Sequence, residues 1–227
     1  MKILVIAAHP DDEILGCGGT CVQLANSGKE VQFVILGEGV TSRYNQREQT
    51  ETGELSKLAL DCQEASRIIG AKEPILHNLP DNRFDIVPFL DVVKIVETEI
   101  VTFRPEIIFT HDGGDLNVDH RITFRAVLTA ARPMASSTVK ELYTFEIPSS
   151  TEWAFQTVNG GFNPNTFFDI TAGLEKKLQA LSAYASEMRD FPHPRSRENI
   201  RAKAAVWGSV IGCQSAEAFK LIYSIKK

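Results

Sequence analysis

The chain has 227 residues, a formal net charge of −5 at pH 7 and 43% apolar residues. That supplies a sizeable core but is short for two average domains, so residues 1–227 are expected to form one α/β domain. The acidic balance excludes a large basic footprint for nucleic acid, and no apolar run approaches the roughly 20 residues of a membrane span.

The opening Met1-Lys2 and Ile3–Ala8 are too short for a secretion signal and run at once into acid, which predicts a cytoplasmic protein. Ile3–Ala8 is a continuous apolar run, as in a parallel strand covered on both faces. Asp12–Asn26 reads as a helix ended at Ser27-Gly28, and Val31–Leu36 as a second strand. The polar, aperiodic stretch Gly37–Thr52 is expected to be a loop or lid. Leu55–Ile69 reads as a helix, Pro74–His77 as a short strand, and Leu79–Asn82 as a turn. Phe89–Phe103 is an amphipathic helix, Glu106–Thr110 a strand, and Arg121–Ala131 a helix stopped by Pro133. Glu141–Glu146 follows as a strand, Pro148–Pro164 as irregular chain, and Thr166–Ile170 as a late strand. Leu174–Met188 and Glu198–Trp207 read as helices.

This alternation predicts a Rossmann-like three-layer α/β fold, with a mostly parallel sheet and helices on both faces. Ligands in such sheets sit beyond the carboxyl ends of the strands, where His9 and His111 both fall. Cys17, Cys21, Cys62 and Cys213 make no CxxC pair, so neither a structural zinc site nor a disulfide framework is indicated. Cys17 and Cys21, four apart, read as small buried apolar residues. The glycines of Gly16-Cys17-Gly18-Gly19 fall too late for a dinucleotide loop and suit close packing of the helix.

Two clusters carry chemistry. The first is His9, Asp11, Asp12 and Glu13 behind the first strand; the second is THDGGDLNVDHR, Thr110 to Arg121. The acids of the first could complement a helix N-terminus. Alternatively, His9 and Asp12, three apart across a strand-to-helix turn, point at one cation together with a histidine of the second cluster. A His-Asp-His set suits a catalytic zinc with one open position. Asp11, between two ligands, must point elsewhere and is free to take a proton from an activated water. DLNVD resembles half a calcium loop, but His120 and Ala126 stand where Gly and Glu are required.

AHPDDE after a first strand, with a distant Asp119-His120, resembles the LmbE-like/PIG-L de-N-acetylases. LPDNRFD (Leu79–Asp85), DLNVDHR (Asp115–Arg121), SSTEW (Ser149–Trp153), FPHPRS (Phe191–Ser196) and AEAF (Ala216–Phe219) extend the resemblance along most of the chain. It implies a zinc-dependent enzyme, one Zn2+ per chain, that removes acetyl from an N-acetylglucosamine-type sugar or its conjugate. It implies His9, Asp12 and His120 as metal ligands and Asp11 as general base. Many members carry a second histidine three residues before the last ligand, where it stabilises the oxyanion; this chain has Asn117. That leaves Asn117, His111 and His193 as candidates for the role, His193 able to offer a charged imidazolium.

Arg47, Asp81, Arg83 and Arg195 are candidate sugar-binding residues, and Trp153 a stacking platform or a core residue. His77 is expected to be structural. The expected partner is a small N-acetylated sugar or glycoconjugate, with a homo-oligomer open. Two other readings compete. A two-metal phosphoesterase would bridge its ions with Asp112, Asp115 and Asp119; a non-catalytic sugar-binding module would have no use for Asp11.

Overall fold

In the first strand, β1 (Lys2–Ala7), Ile3, Val5 and Ala7 enter one hydrophobic core, while Leu4, Ile6 and the following Ala8 enter another. Burial on both faces requires an apolar residue at every position, so the run shows no alternation. The structure, a computed structural model, describes residues 1–44 and 52–226. Arg47 lies outside the described residues.

After β1 come α1 (Asp12–Asn26), β2 (Glu30–Gly37), α2 (Thr52–Ile69), β3 (Ile75–Leu79), α3 (Phe89–Phe103) and β4 (Ile107–His111). They are followed by α4 (Val118–Ala130), β5 (Glu141–Phe145), β6 (Thr166–Asp169), α5 (Leu174–Ala183), α6 (Arg197–Ile211) and β7 (Ala216–Ser224). The strands form one sheet in the order β3-β2-β1-β4-β5-β7-β6. The first five are parallel, with Ile3 opposite both Val31 and Ile107; β7 runs antiparallel to β5 and β6. One core packs under α1, α2, α5 and α6, the other under α3 and α4. The expected α/β layering is therefore present. The chain winds outward from β1 to β3 and then returns to β4 on the other side. This reversal opens a crevice between the carboxyl ends of β1 and β4.

Beyond shifts of up to four residues at the ends of α2, β3 and α6, three elements depart from expectation. α4 starts at Val118, three residues early, because the Asn117 side-chain oxygen accepts from the Asp119 N–H and caps it. α5 stops at Ala183 instead of Met188, and the chain leaves it at Tyr184. β7 is an additional strand, although Phe219–Tyr223 is rich in strand formers. The four cysteines are free, and Cys17 and Cys21 are buried as expected.

α1 is broken at Cys17 (φ −145, ψ 19). An unbroken helix would pair the Gly19 N–H with the Leu15 carbonyl. Here the Gly19 and Thr20 N–H groups donate to the two carboxylate oxygens of Glu217 in β7 at 2.9 and 2.8 Å, and Lys177 of α5 donates to the Leu15 carbonyl at 2.8 Å. Lys177 and Glu217 close the arrangement with a buried 2.6 Å ion pair. The glycines allow the approach: a Cβ on Gly16 would lie 2.4 Å from the Phe145 ring, and one on Gly19 2.8 Å from Ile170. Removing one partner of a buried pair strands the other, so Lys177→Met should destabilise the fold by about 3–5 kcal/mol in denaturant unfolding. A loss under about 1 kcal/mol would show that the pair does not hold the break.

Candidate metal centre

His9 leaves β1 and His111 ends β4, facing each other across the crevice. The His111 Nε2 accepts the Ala8 N–H at 2.8 Å, which ties the two strand ends together. Burial, reinforced by the neighbouring His120, holds the His111 imidazole well below its ordinary pKa and therefore neutral. His111 is thus engaged with the backbone, and this bond takes up the nitrogen that lies 3.5 Å from Asp12.

His9, Asp12 and His120 each present a ligand atom, all within 4.8 Å of one another. The Asp12 Oδ2 lies 3.4 Å from His9 Nδ1 and 3.3 Å from His120 Nε2. It also accepts the His9 N–H at 2.9 Å, which sets the turn. Asp12 Oδ1 and both ring nitrogens of His120 are buried with no hydrogen-bond partner, and Oδ1 and Nε2 are suited to hold an ion. Behind each imidazole stands a carboxylate. His9 Nε2 donates to Asp119 Oδ2 at 2.9 Å, and His120 Nδ1 lies 3.1 Å from Asp115 Oδ1. Such outer carboxylates fix ring orientation in metal-binding histidines. They are themselves fixed: Asp119 by the Phe84 N–H, Asp115 by the Asn117 N–H, Ser150 and Thr151.

A second group, His9, Asp81 and Asp119, also converges. One nitrogen cannot both donate hydrogen to Asp119 and give its lone pair to an ion, so the two groups are alternatives at His9.

Seven carboxylates from three loops are buried here: Asp11, Asp12, Glu13, Asp81, Asp112, Asp115 and Asp119. Such a concentration demands compensating positive charge. Burial alone would lower His9 and His120, yet Asp119 and Asp12 raise His9 well above its ordinary value, and Asp12 and Asp115 raise His120 to about 9. Burial would raise Asp12, but the facing His120 draws it well below the carboxylate range. The site is built to hold a cation, and protons on imidazole meet that demand in the protein alone. The donor set fits a divalent metal.

Asp11 is set apart from this group. Its backbone lies at φ 100, ψ −30, and its side chain makes no cap bond to α1. The carboxylate instead accepts from Arg195 Nη1 at 2.7 Å. Burial pushes its carboxyl well above the usual range, with Arg195 opposing. Glu13 accepts from the Asp11 N–H and from the Tyr184 hydroxyl, and burial raises it to about 7. The acidic run is therefore not a helix cap: each of its three members has its own partners.

The remaining candidates are distributed around this centre. Besides capping α4, Asn117 donates its side-chain amide to Asn82 at 2.8 Å. His193 accepts the Arg195 N–H on Nδ1, and its ring meets Trp153 edge-on at 5.9 Å. Burial, then Arg195 and Arg189, lower its pKa, which favours the neutral imidazole over the imidazolium it could offer. Arg195, expected at the sugar, instead grips Asp11 and also donates to Ser149. Asp81 is buried, accepts the Ser42 N–H and lies 3.2 Å from His9 Nε2; Arg83 is exposed. Trp153 is 43% exposed, which removes it from the core. His77 pairs with Glu99 at 3.1 Å, between β3 and α3. Sequence reasoning offers Asp115 and Asp119 as metal bridges and misses them as supports; it also misses Tyr184, which carries no motif signal.

A crevice at the winding reversal, with a convergent His-Asp-His group and an unshared carboxylate beside it, defines a metal-dependent hydrolase. A family model described as PIG-L, GlcNAc-PI de-N-acetylase, matches residues 4–131. The chain belongs to this family and is an enzyme of its metal-dependent amidohydrolase, deacetylase type. It is 28% identical over 239 residues to a diacetylchitobiose deacetylase of Thermococcus kodakarensis, covering 99% of this chain and 84% of that one. In structure it resembles the conserved protein TT1542 from Thermus thermophilus (TM-score 0.77, 24% identity, 99% and 96% coverage). It also resembles GalB, the 4-carboxy-2-hydroxymuconate hydratase from Pseudomonas putida (TM-score 0.77, 19% identity, 100% and 98% coverage). One fold thus accompanies more than one named activity, and the chemistry has to be argued from the site. No described helix is long and apolar enough to cross a membrane.

Proposed function

We propose that the protein removes the acetyl group from an N-acetylated amino sugar of the N-acetylglucosamine type, free or conjugated. His9, Asp12 and His120 would hold one zinc ion per chain, a set of two imidazoles and one carboxylate being suited to it. The observation that carries this reading is the division between Asp11 and Asp12: Asp12 sits among the histidines, while Asp11 is turned to Arg195. Zinc supplies Lewis acidity, activating water and polarising the amide carbonyl. Asp11 takes the proton of the attacking water and then delivers it to the departing amine nitrogen. Arg195 and Ser149 keep the Asp11 side chain in place for both transfers.

The sugar class is supported by the family description and by the diacetylchitobiose deacetylase relative. Asp81, Arg83, Arg47 and Trp153 are the proposed contacts to its hydroxyls and ring. The two-metal reading loses its bridging ligands, since Asp115 and Asp119 support histidines and Asp112 is bonded to Thr144 and the Gly114 N–H. Acetate release from a panel of N-acetylated sugars and conjugates, with added zinc and with chelator, tests the proposal. Release that chelator abolishes is expected; no release from any member would overturn it.

For the oxyanion, His193 is the proposed donor. Acceptance of the Arg195 N–H at Nδ1 leaves the ring proton on Nε2, available for donation. The Asn117 amide is occupied by Asn82. His193→Ala is therefore expected to lower turnover more than Asn117→Ala, by the roughly 10²–10³-fold typical of a lost oxyanion donor, with metal content unchanged. Near-normal turnover for His193→Ala would return the role to Asn117.

A further inference from the structure

We propose that Glu13 and Tyr184 are positioning residues that hold the Asp11 backbone in the conformation its chemistry needs. The inference rests on the reading of Asp11 as the base. Asp11 has a positive φ, a conformation that L side chains avoid and that persists only where the surroundings fix it. Its carbonyl is held by α1, accepting from the Ile14 and Leu15 N–H groups at 3.1 and 2.9 Å. Its side chain is held by Arg195. The remaining polar group, the N–H, donates to Glu13 Oε2 at 3.1 Å.

A carboxylate two residues away is free to swing unless it is fixed in turn. The Tyr184 hydroxyl does this, donating to Glu13 Oε1 at 2.6 Å from a position 171 residues further along the chain. Both side chains are fully buried. Tyr184 reaches Glu13, and Glu13 reaches the Asp11 N–H, so their route to the reaction runs through that backbone. Asp12 has an independent anchor in the His9 N–H. Loss of the Glu13–Tyr184 strut therefore reorients Asp11 while leaving the metal group in place. An apolar residue at position 13 would suit the buried face of α1, so the buried acid there is explained by the N–H it accepts.

The test uses Tyr184→Phe, Glu13→Leu and Glu13→Gln, each alone and in an Asp11→Asn background. The probe substrates are N-acetylglucosamine and N,N′-diacetylchitobiose with zinc. Tyr184→Phe and Glu13→Leu are expected to lower kcat on the order of 10-fold, with KM and metal content unchanged. Gln retains an acceptor for the N–H, so Glu13→Gln recovers most of what Glu13→Leu loses. In the Asp11→Asn background the loss should vanish, because no base remains to misplace. A second readout needs no turnover: protection of the Asp11 amide from hydrogen exchange in the metal-free protein, which should fall in Tyr184→Phe and Glu13→Leu.

Equal losses in both backgrounds, or unchanged amide protection, would overturn the positioning role while leaving the base intact. Full turnover in Asp11→Asn alone would instead remove the base, and the proposal with it. Should Glu13→Leu fail to fold, Tyr184→Phe carries the test, since it deletes one hydroxyl and keeps the ring.

Discussion

His9→Ala and His120→Ala are each expected to lose bound metal and hydrolytic turnover together. The two side chains bring nitrogens to 3.4 and 3.3 Å from the same Asp12 carboxylate oxygen. Deleting either leaves two donors, too few for a site that must keep one position open. Loss of an outer support costs metal affinity about 10–100-fold, so Asp119→Ala sets the lower mark and either ligand deletion should exceed it. Metal analysis after dialysis, alongside acetate release, provides the measurement. Full metal occupancy in either histidine variant would remove that residue from the ligand set. The same variants separate the two converging groups. If the ion sits with Asp81 and Asp119 instead, His120→Ala keeps its metal and Asp81→Ala loses it.

Asp11→Asn gives the opposite pattern: metal retained, turnover lost. Asparagine keeps the size of the side chain and tolerates a positive φ better than most residues, so the backbone turn should survive. The amide cannot accept the proton of the attacking water, and the loss should be on the order of 10²–10⁴-fold. Half-buried Arg195 then loses its 2.7 Å carboxylate partner and keeps Glu187 at 3.6 Å, and a fall in stability should accompany the kinetic effect. Thermal unfolding measured beside kcat keeps the two apart, because a folded, metal-loaded and inactive protein is the predicted state. A metal-free Asp11→Asn variant would reverse the roles of the two aspartates.

The parallel part of the fold was legible because its signals are local. The apolar run of β1, helices closed by Gly28 and Gly70, and an amphipathic Phe89–Phe103 fix β1, α1 and α3 nearly to the residue, and the end of α2 at Ile69. The metal group was legible for a similar reason, since His9 and Asp12 share one turn and the third residue came with a short motif. What stayed hidden depends on partners distant in sequence. The Arg195 side chain reads as a loop charge until the fold brings it to Asp11, 184 residues earlier. Tyr184 ends a helix like any core aromatic. Asp115 and Asp119 look like spare ligands because a carboxylate behind a histidine and one beside it have the same spacing in the chain. β7 escaped for another reason: buried Glu217 interrupts its apolar run, and that glutamate is there for the broken α1.

That last contact also bears on how the protein is made. The Gly19 N–H and the carboxylate that receives it are 198 residues apart. Chains emerge from the ribosome amino end first and at a finite rate, so the helix behind the metal turn is formed long before its cap exists. β6 has the same delay, because among the described residues it pairs with β7 alone, synthesised after it. Until Glu217 arrives, the Gly19 and Thr20 donors and the edge of β5 remain open to solvent and to other chains, a situation that favours slow, non-local closure. The order of synthesis thus places the reactive turn long before its completion. In a nascent chain halted before residue 216, the proposed base and all three proposed ligands would be present, but Glu217, which takes up the Gly19 and Thr20 N–H groups, would not.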